Sequence, residues 1–216
     1  MSLTDIWFDG SVKKVRKNLI VLQFNTVHPR DYLPVTLISP DLKSGPWIAG
    51  GAVLAWYQDK PVTSDIDVFC KNKHQASQVI KNVMEEYTNN MYSQVIIETE
   101  NATTIRVQGQ KETESWTIQV ITCRYFNTLQ DVIDNFDITV CQVGTAGDQW
   151  VLGSHTAKDI KERKLRFNKY TTDAAKRLVK YWVYGYEPVE GTLDAIKNNP
   201  ESRWEFAKDE EYANAF

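Results

Sequence analysis

Apolar positions recur along this chain with two different periods, and the alternation between them predicts its elements. Ile66–Cys70 (IDVFC) is a short β-branched, aromatic run that reads as a buried strand. In His74–Tyr87, Val79, Ile80, Val83, Met84 and Tyr87 fall on one face at helical spacing, predicting an amphipathic helix. Gln94–Glu98, Thr103–Gln108 and Trp116–Cys123 read as strands, the last two flanking the polar turn Gly109–Ser115 as a hairpin. Upstream, Leu19–Phe24 and Pro34–Ile38 look like short strands, Trp47–Gly51 like a strand end entering a turn, and Ala52–Gln58 like a helix. Downstream, the pattern predicts a helix over Thr128–Asn135 and a strand over Asp137–Val143. A turn over Gly144–Asp148 then leads to a strand at Trp150–Leu152. Helices follow over Ala157–Lys164, Thr172–Tyr184 and Val189–Lys197, stopping near Asn199-Pro200. The expected fold is α+β, a mixed β-sheet with flanking helices and a short helical C-terminal extension. The expected organisation is an extension over residues 1–45, a core over 46–168 and a helical segment over 169–216.

Composition narrows the class. The 216 residues, 42% hydrophobic and 12% aromatic, are enough for a packed core. No apolar run is long enough for a membrane span, and the N-terminus lacks a signal-peptide pattern, so a cytoplasmic protein is expected. Cys70, Cys123 and Cys141 make an odd count without CxxC spacing, which predicts buried thiols rather than disulfides or a zinc site. The net charge of −3 lacks the basic signature of a protein that grips long nucleic acid, although Lys158 to Lys180 is a locally basic stretch. His28, His74 and His155 make no metal spacing and read as surface or turn residues; most of the seven tryptophans, Trp56 and Trp116 among them, read as core. Trp182 and Tyr184, on the last long helix, are candidates for stacking on a base.

The chemistry concentrates in Trp47–Phe69 (WIAGGAVLAWYQDKPVTSDIDVF). Period-two alternation puts Asp65 and Asp67 on one face of a strand start, with Ile66 and Val68 on the other. Two adjacent carboxylates repel unless a cation lies between them, and Mg²⁺ favours a few carboxylate oxygens completed by phosphate and water. Gly50-Gly51, before a short helix, allow the backbone to approach a phosphate closely. Singly these are weak features; together, and in this order, they predict a site for a metal and a phosphorylated ligand.

This stretch resembles the glycine-glycine and Asp-x-Asp motifs of polymerase-β-type nucleotidyltransferases. The order of segments is similar to the head domain of tRNA CCA-adding enzymes and bacterial poly(A) polymerases. Trp116–Arg124 (WTIQVITCR), Asn135–Gln142 (NFDITVCQ), Asp159–Arg166 (DIKERKLR) and Arg177–Lys180 (RLVK) follow the same order as that family's later motifs, so the likeness spans about Trp47 to Tyr186. The resemblance implies transfer of a nucleoside monophosphate from a nucleoside triphosphate to a hydroxyl acceptor, an RNA 3′ end or a protein, with release of pyrophosphate. It implies Asp65 and Asp67 as ligands of Mg²⁺ (or Mn²⁺), with Asp137 as a further catalytic acid. Gly50, Gly51, Ser64, Arg124, Arg177 and Lys180 are implied as substrate contacts. Three departures stand out: Leu54-Ala55 replaces the family's Arg-Asp, Gln119 falls near its third acid, and the arginines before Asp137 are absent. With the chain ending at Phe216, CCA addition is not expected, and the compact bacterial or phage members are the nearest type. The alternative is a nucleotide- or partner-binding module that has lost catalysis. Two geometric expectations follow: the glycines and the Asp65–Asp67 pair share one rim of the sheet, and Asp137 begins a strand beside the one carrying Asp65, near the pair or bonded to an arginine.

Overall fold

The computed structural model describes strands 12–16 and 19–23 and residues 41–89, 93–108, 115–146 and 149–199. Pro34–Ile38, His28, the turn 109–114 and the side chains of Tyr87 and Trp116 lie outside the described residues. Among the described residues the strands are β1 (Val12–Arg16), β2 (Leu19–Gln23), β3 (Trp47–Ala49), β4 (Ile66–Phe69), β5 (Ser93–Glu98), β6 (Ala102–Gln108), β7 (Ser115–Ile121), β8 (Val143–Ala146) and β9 (Gln149–Gly153). They form one sheet in the order β1-β2-β9-β8-β3-β4-β7-β6-β5, and β10 (Lys164–Leu165) pairs with β11 (Glu187–Pro188) in a second, two-stranded ladder. β4 and β7 run parallel while the other neighbours in the large sheet are antiparallel, so the sheet is mixed.

The helices are α1 (Gly51–Tyr57), α2 (Lys73–Asn89), α3 (Leu129–Asn135), α4 (Thr156–Glu162), α5 (Ala174–Val183) and α6 (Thr192–Asn198). Strand alternation divides the core. Ile48, Ile66, Val68, Ile118 and Val120 point to the face covered by α1 and α2, where Val53, Ala76, Val79 and Val83 are buried. Trp47, Ala49 and Phe69 point to the other face, against Leu129, Val132 and Ile133 of α3. Leu178 and Tyr181 of α5 and Ile196 of α6 belong to the first of these clusters, so the C-terminal helices pack on the same core as the sheet.

Three expectations need correction. Asp137–Val143 is not a strand: Ile138 makes a single bridge to Phe167, and Thr139–Cys141 is a 3-10 turn. The cause is a polar anchor, because the Thr139 hydroxyl donates to buried Asp159 at 2.6 Å and the Thr156 hydroxyl donates to the Thr139 carbonyl at 2.8 Å. Gly144 is not in a turn but in β8, where an added Cβ would stand 2.8 Å from Leu129 Cδ1 and 3.3 Å from the Ile48 carbonyl oxygen. The glycine there serves close packing of α3 on the sheet rather than chain reversal. Cys70 and Cys141 are buried, but Cys123 is exposed.

Candidate active site

Gly50 ends β3 with φ +94°, a conformation in which side chains are strained, and its backbone N–H donates to the Val143 carbonyl at 2.8 Å. A Cβ at Gly50 would fall 3.0 Å from the Phe136 ring and 3.6 Å from Asp67 Oδ2. At Gly51 it would fall 3.2 Å from Ser64 Oγ. The two glycines therefore let the β3–α1 turn lie against the start of β4, and Gly50, Gly51, Ser64 and Asp67 share one rim of the sheet.

Asp65 is exposed and Asp67 half-buried. Burial, and then the charge of Asp65, raise the Asp67 carboxyl to about 7, while Arg177 and Lys180 pull in the opposite direction. Asp67 is thus a carboxylate whose ionised form lacks sufficient positive charge from the protein alone. Among the described residues no group of three or more His, Cys, Asp or Glu side chains gathers around a metal position. Gln119 explains why: it lies in register with Asp67 on the neighbouring parallel strand, and its amide nitrogen donates to Thr104 on β6 at 3.3 Å. Two carboxylates and an amide make a donor set that suits one hard cation completed by ligand phosphate and water, not a closed protein cage.

Asp137 is 6% exposed, and Arg177 of α5 meets it with Nε 2.8 Å from Oδ2. The contact is an ion pair without hydrogen-bond alignment, since these two atoms find no aligned partner. Burial raises the Asp137 carboxyl, opposed by Arg177, by the nearby amides of Asp137 and Ile138 and by Thr171. Asp137 does not begin a strand beside β4: the strand that follows it, β8, pairs with β3 and β9. Its link to the aspartate pair runs through Arg177, whose charge acts on both Asp67 and Asp137.

Beside the pair is a cleft of about 220 Å³ between α1 and α5. Gly51, Ser64 and Lys180 line it together with Leu54, Ala55, Gln58, Lys60, Tyr181, Tyr184 and Tyr186. Both charged side chains in this lining are lysines. Arg124 is not among the lining residues; it donates to Asn135 Oδ1 at 2.6 Å, at the end of α3. Asp159 and Arg166 also do structural work, joined by an ion pair at 3.2 Å under the 3-10 turn. His74 and His155 are exposed, and Trp56 is half-buried. Gln58, Lys60 and Tyr186 escaped sequence reasoning because they lie outside the glycine and aspartate motifs and converge only through helix packing.

The fold is similar to that of known structures. The crystal structure of a tRNA nucleotidyltransferase complexed with a primer tRNA and an incoming ATP analog aligns with TM-score 0.50 and 13% identity, over 71% of this chain and 48% of that one. The Bacillus stearothermophilus CCA-adding enzyme in complex with CTP aligns with TM-score 0.45 and 15% identity, over 71% of this chain and 39% of that one. The chain thus spans about half, or less, of the length of these enzymes, and the likeness to the first is one of fold. No curated protein matches. A family model described as "Gabija anti-defense 2 family protein" matches residues 14–163.

Proposed function

This chain belongs to the Gabija anti-defense 2 family, and from that footing we propose that it counters a defence system as a metal-dependent nucleotidyltransferase. It moves a nucleoside monophosphate from a nucleoside triphosphate to a hydroxyl acceptor on an RNA 3′ end or a protein and releases pyrophosphate. The observation that carries this reading is the half-buried Asp67 carboxylate, raised to about 7 beside Asp65, on the same rim as Gly51 and Ser64, which line a cleft whose charged groups are Lys60 and Lys180. Carboxylates short of positive charge beside a cationic cleft suit a cation shared with a polyphosphate.

Asp65 and Asp67 would hold the Mg²⁺ (or Mn²⁺), which would neutralise phosphate charge and favour ionisation of the attacking hydroxyl. Ser64, the Gly51 backbone and Lys180 contact the β and γ phosphates. Arg177, anchored by Asp137, holds positive charge near Asp67 and partly offsets the burial and the Asp65 charge that oppose its ionisation. Asp137 is accordingly a positioning residue, and Arg124 has no direct place in this reading. The defence role rests on the family description, and the chemistry rests on the site.

The test is incubation of the purified protein with labelled nucleoside triphosphate, Mg²⁺ and either total RNA or total protein. Label should pass to one acceptor class with the wild type and to neither with Asp65→Asn/Asp67→Asn. Transfer that survives in the double variant overturns the site assignment.

Gln119 favours one other reading, a nucleotide-binding module without turnover, because an amide bonded to Thr104 stands in register with Asp67. A Mg²⁺-dependent rise in melting temperature with nucleotide, without label transfer to any acceptor, supports that reading.

A further inference from the structure

The cleft extends past the residues assigned to the triphosphate. Gly51, Ser64 and Lys180 line the part nearest the aspartates, whereas Gln58 and Lys60 follow the C-terminal end of α1, and Tyr184 and Tyr186 follow that of α5. In an in-line displacement the attacking hydroxyl and the leaving phosphates lie on opposite sides of the reacting phosphorus. With the β and γ phosphates at Gly51, Ser64 and Lys180 as proposed above, the far compartment lies beyond the γ phosphate, on the leaving-group side and not the acceptor side.

Its lining has three properties. It is cationic: Lys60 is its charged group, with Lys180 at the border to the near part, and Lys60, partly desolvated, also feels Arg163, which lies over the Tyr186 ring at 5.3 Å. It is aromatic: Tyr184 is 49% exposed and braced edge-on by Tyr181, ring centroids 5.7 Å apart. It is also polar at a fixed point, because Gln58 Nε2 donates to the Tyr186 hydroxyl at 2.8 Å and so holds the amide in one orientation. The second N–H and the carbonyl oxygen of that amide are a donor and an acceptor side by side, as the edge of a nucleobase requires. Phosphate alone would need only the lysines. A flat ring and an oriented amide beyond them call for a base.

Resting on the triphosphate orientation given above, we propose that this compartment binds a second nucleoside carried on the far end of the polyphosphate. The ligand class is two nucleosides joined 5′ to 5′ through a polyphosphate chain. The distal base stacks on Tyr184 and is read along its edge by Gln58, while Lys60 and Lys180 meet the bridging phosphates.

Calorimetric titration in Mg²⁺ with diadenosine tetraphosphate, ATP and inorganic tripolyphosphate tests this. Base–aromatic stacking carries enough energy for about a 10-fold or larger preference for diadenosine tetraphosphate over ATP. Tyr184→Ala should abolish most of that preference while leaving ATP and tripolyphosphate affinity unchanged, and Tyr184→Phe, which keeps the ring, should retain it. Equal wild-type affinity for the two nucleotides overturns the inference. So does an equal loss for both in Tyr184→Ala, which would place the base of ATP itself on this tyrosine. The Asp65→Asn/Asp67→Asn variant separates the two readings: if it binds ATP as the wild type does, the carboxylate assignment fails, whereas loss of the Tyr184 dependence alone fails only the second compartment.

Discussion

A single carboxyl group, Asp67, links stability to the proposed metal site. Folded Asp67 keeps its proton up to about pH 7, whereas the ordinary value is 3.8. Between those values the folded state binds more protons than the unfolded state, so this group's contribution to stability falls as pH rises through the window and is at its lowest above pH 7. Asp67→Asn should therefore stabilise the metal-free protein at pH 8 by on the order of 1–3 kcal/mol after allowance for partial exposure, raising its melting temperature, and have little effect at pH 4. Melting curves in chelator at the two pH values check it; a destabilisation at pH 8 would mean the carboxylate has a structural partner. Gln119 offers the converse experiment. Gln119→Asp puts a third carboxylate in register with Asp67, so it should destabilise the metal-free protein and tighten Mn²⁺ binding several-fold. Titration with Mn²⁺ reads this directly, and unchanged affinity would place the metal away from β7.

At the scale of elements, the β3–α1 turn depends on backbone shape. Gly50→Ala imposes a side chain at φ +94° and drives its Cβ to 3.0 Å from the Phe136 ring, while Gly185→Ala, at φ +83°, meets nothing within 4 Å. Both changes incur backbone strain, and only the first adds a clash, so Gly50→Ala should lose about 2–4 kcal/mol and Gly185→Ala about 1 kcal/mol. Denaturant unfolding of the two variants tests the ranking, and equal losses would show that Phe136 yields freely. The ion pair between α5 and the Asp137 segment behaves differently. Asp137→Ala leaves half-exposed Arg177 without its partner and should destabilise by about 1–3 kcal/mol. In a double-mutant cycle, Arg177→Met should recover part of that loss in stability, without recovering nucleotide affinity.

At the scale of the whole molecule, strand and helix patterning was legible wherever one face of an element meets the core and the other meets solvent. β4, α2, β6 and β7 follow it closely, because alternation and 3.6-residue spacing are local consequences of burial. The Gly50-Gly51 and Asp65–Asp67 motifs were legible for a related reason: a tight turn needs glycine, and paired carboxylates need strand spacing. Hidden from the sequence was anything decided by partners far along the chain. NFDITVCQ has an apolar content that suits a strand, yet a threonine bonded to an aspartate twenty residues away turns it into a 3-10 turn. Asp137 was legible as a special acid with an arginine as a candidate partner, but which arginine was not, since forty residues separate it from Arg177 and only the packing of α5 brings them together. Tyr184 and Gln58 face one cleft for the same reason. Local sequence thus determined the strands and helices that bury one face, and the glycine turn and aspartate spacing at one rim of the sheet. Tertiary packing alone decided which charges compensate Asp67, and which aromatic and amide groups extend the cleft, because such contacts arise from where whole elements come to rest.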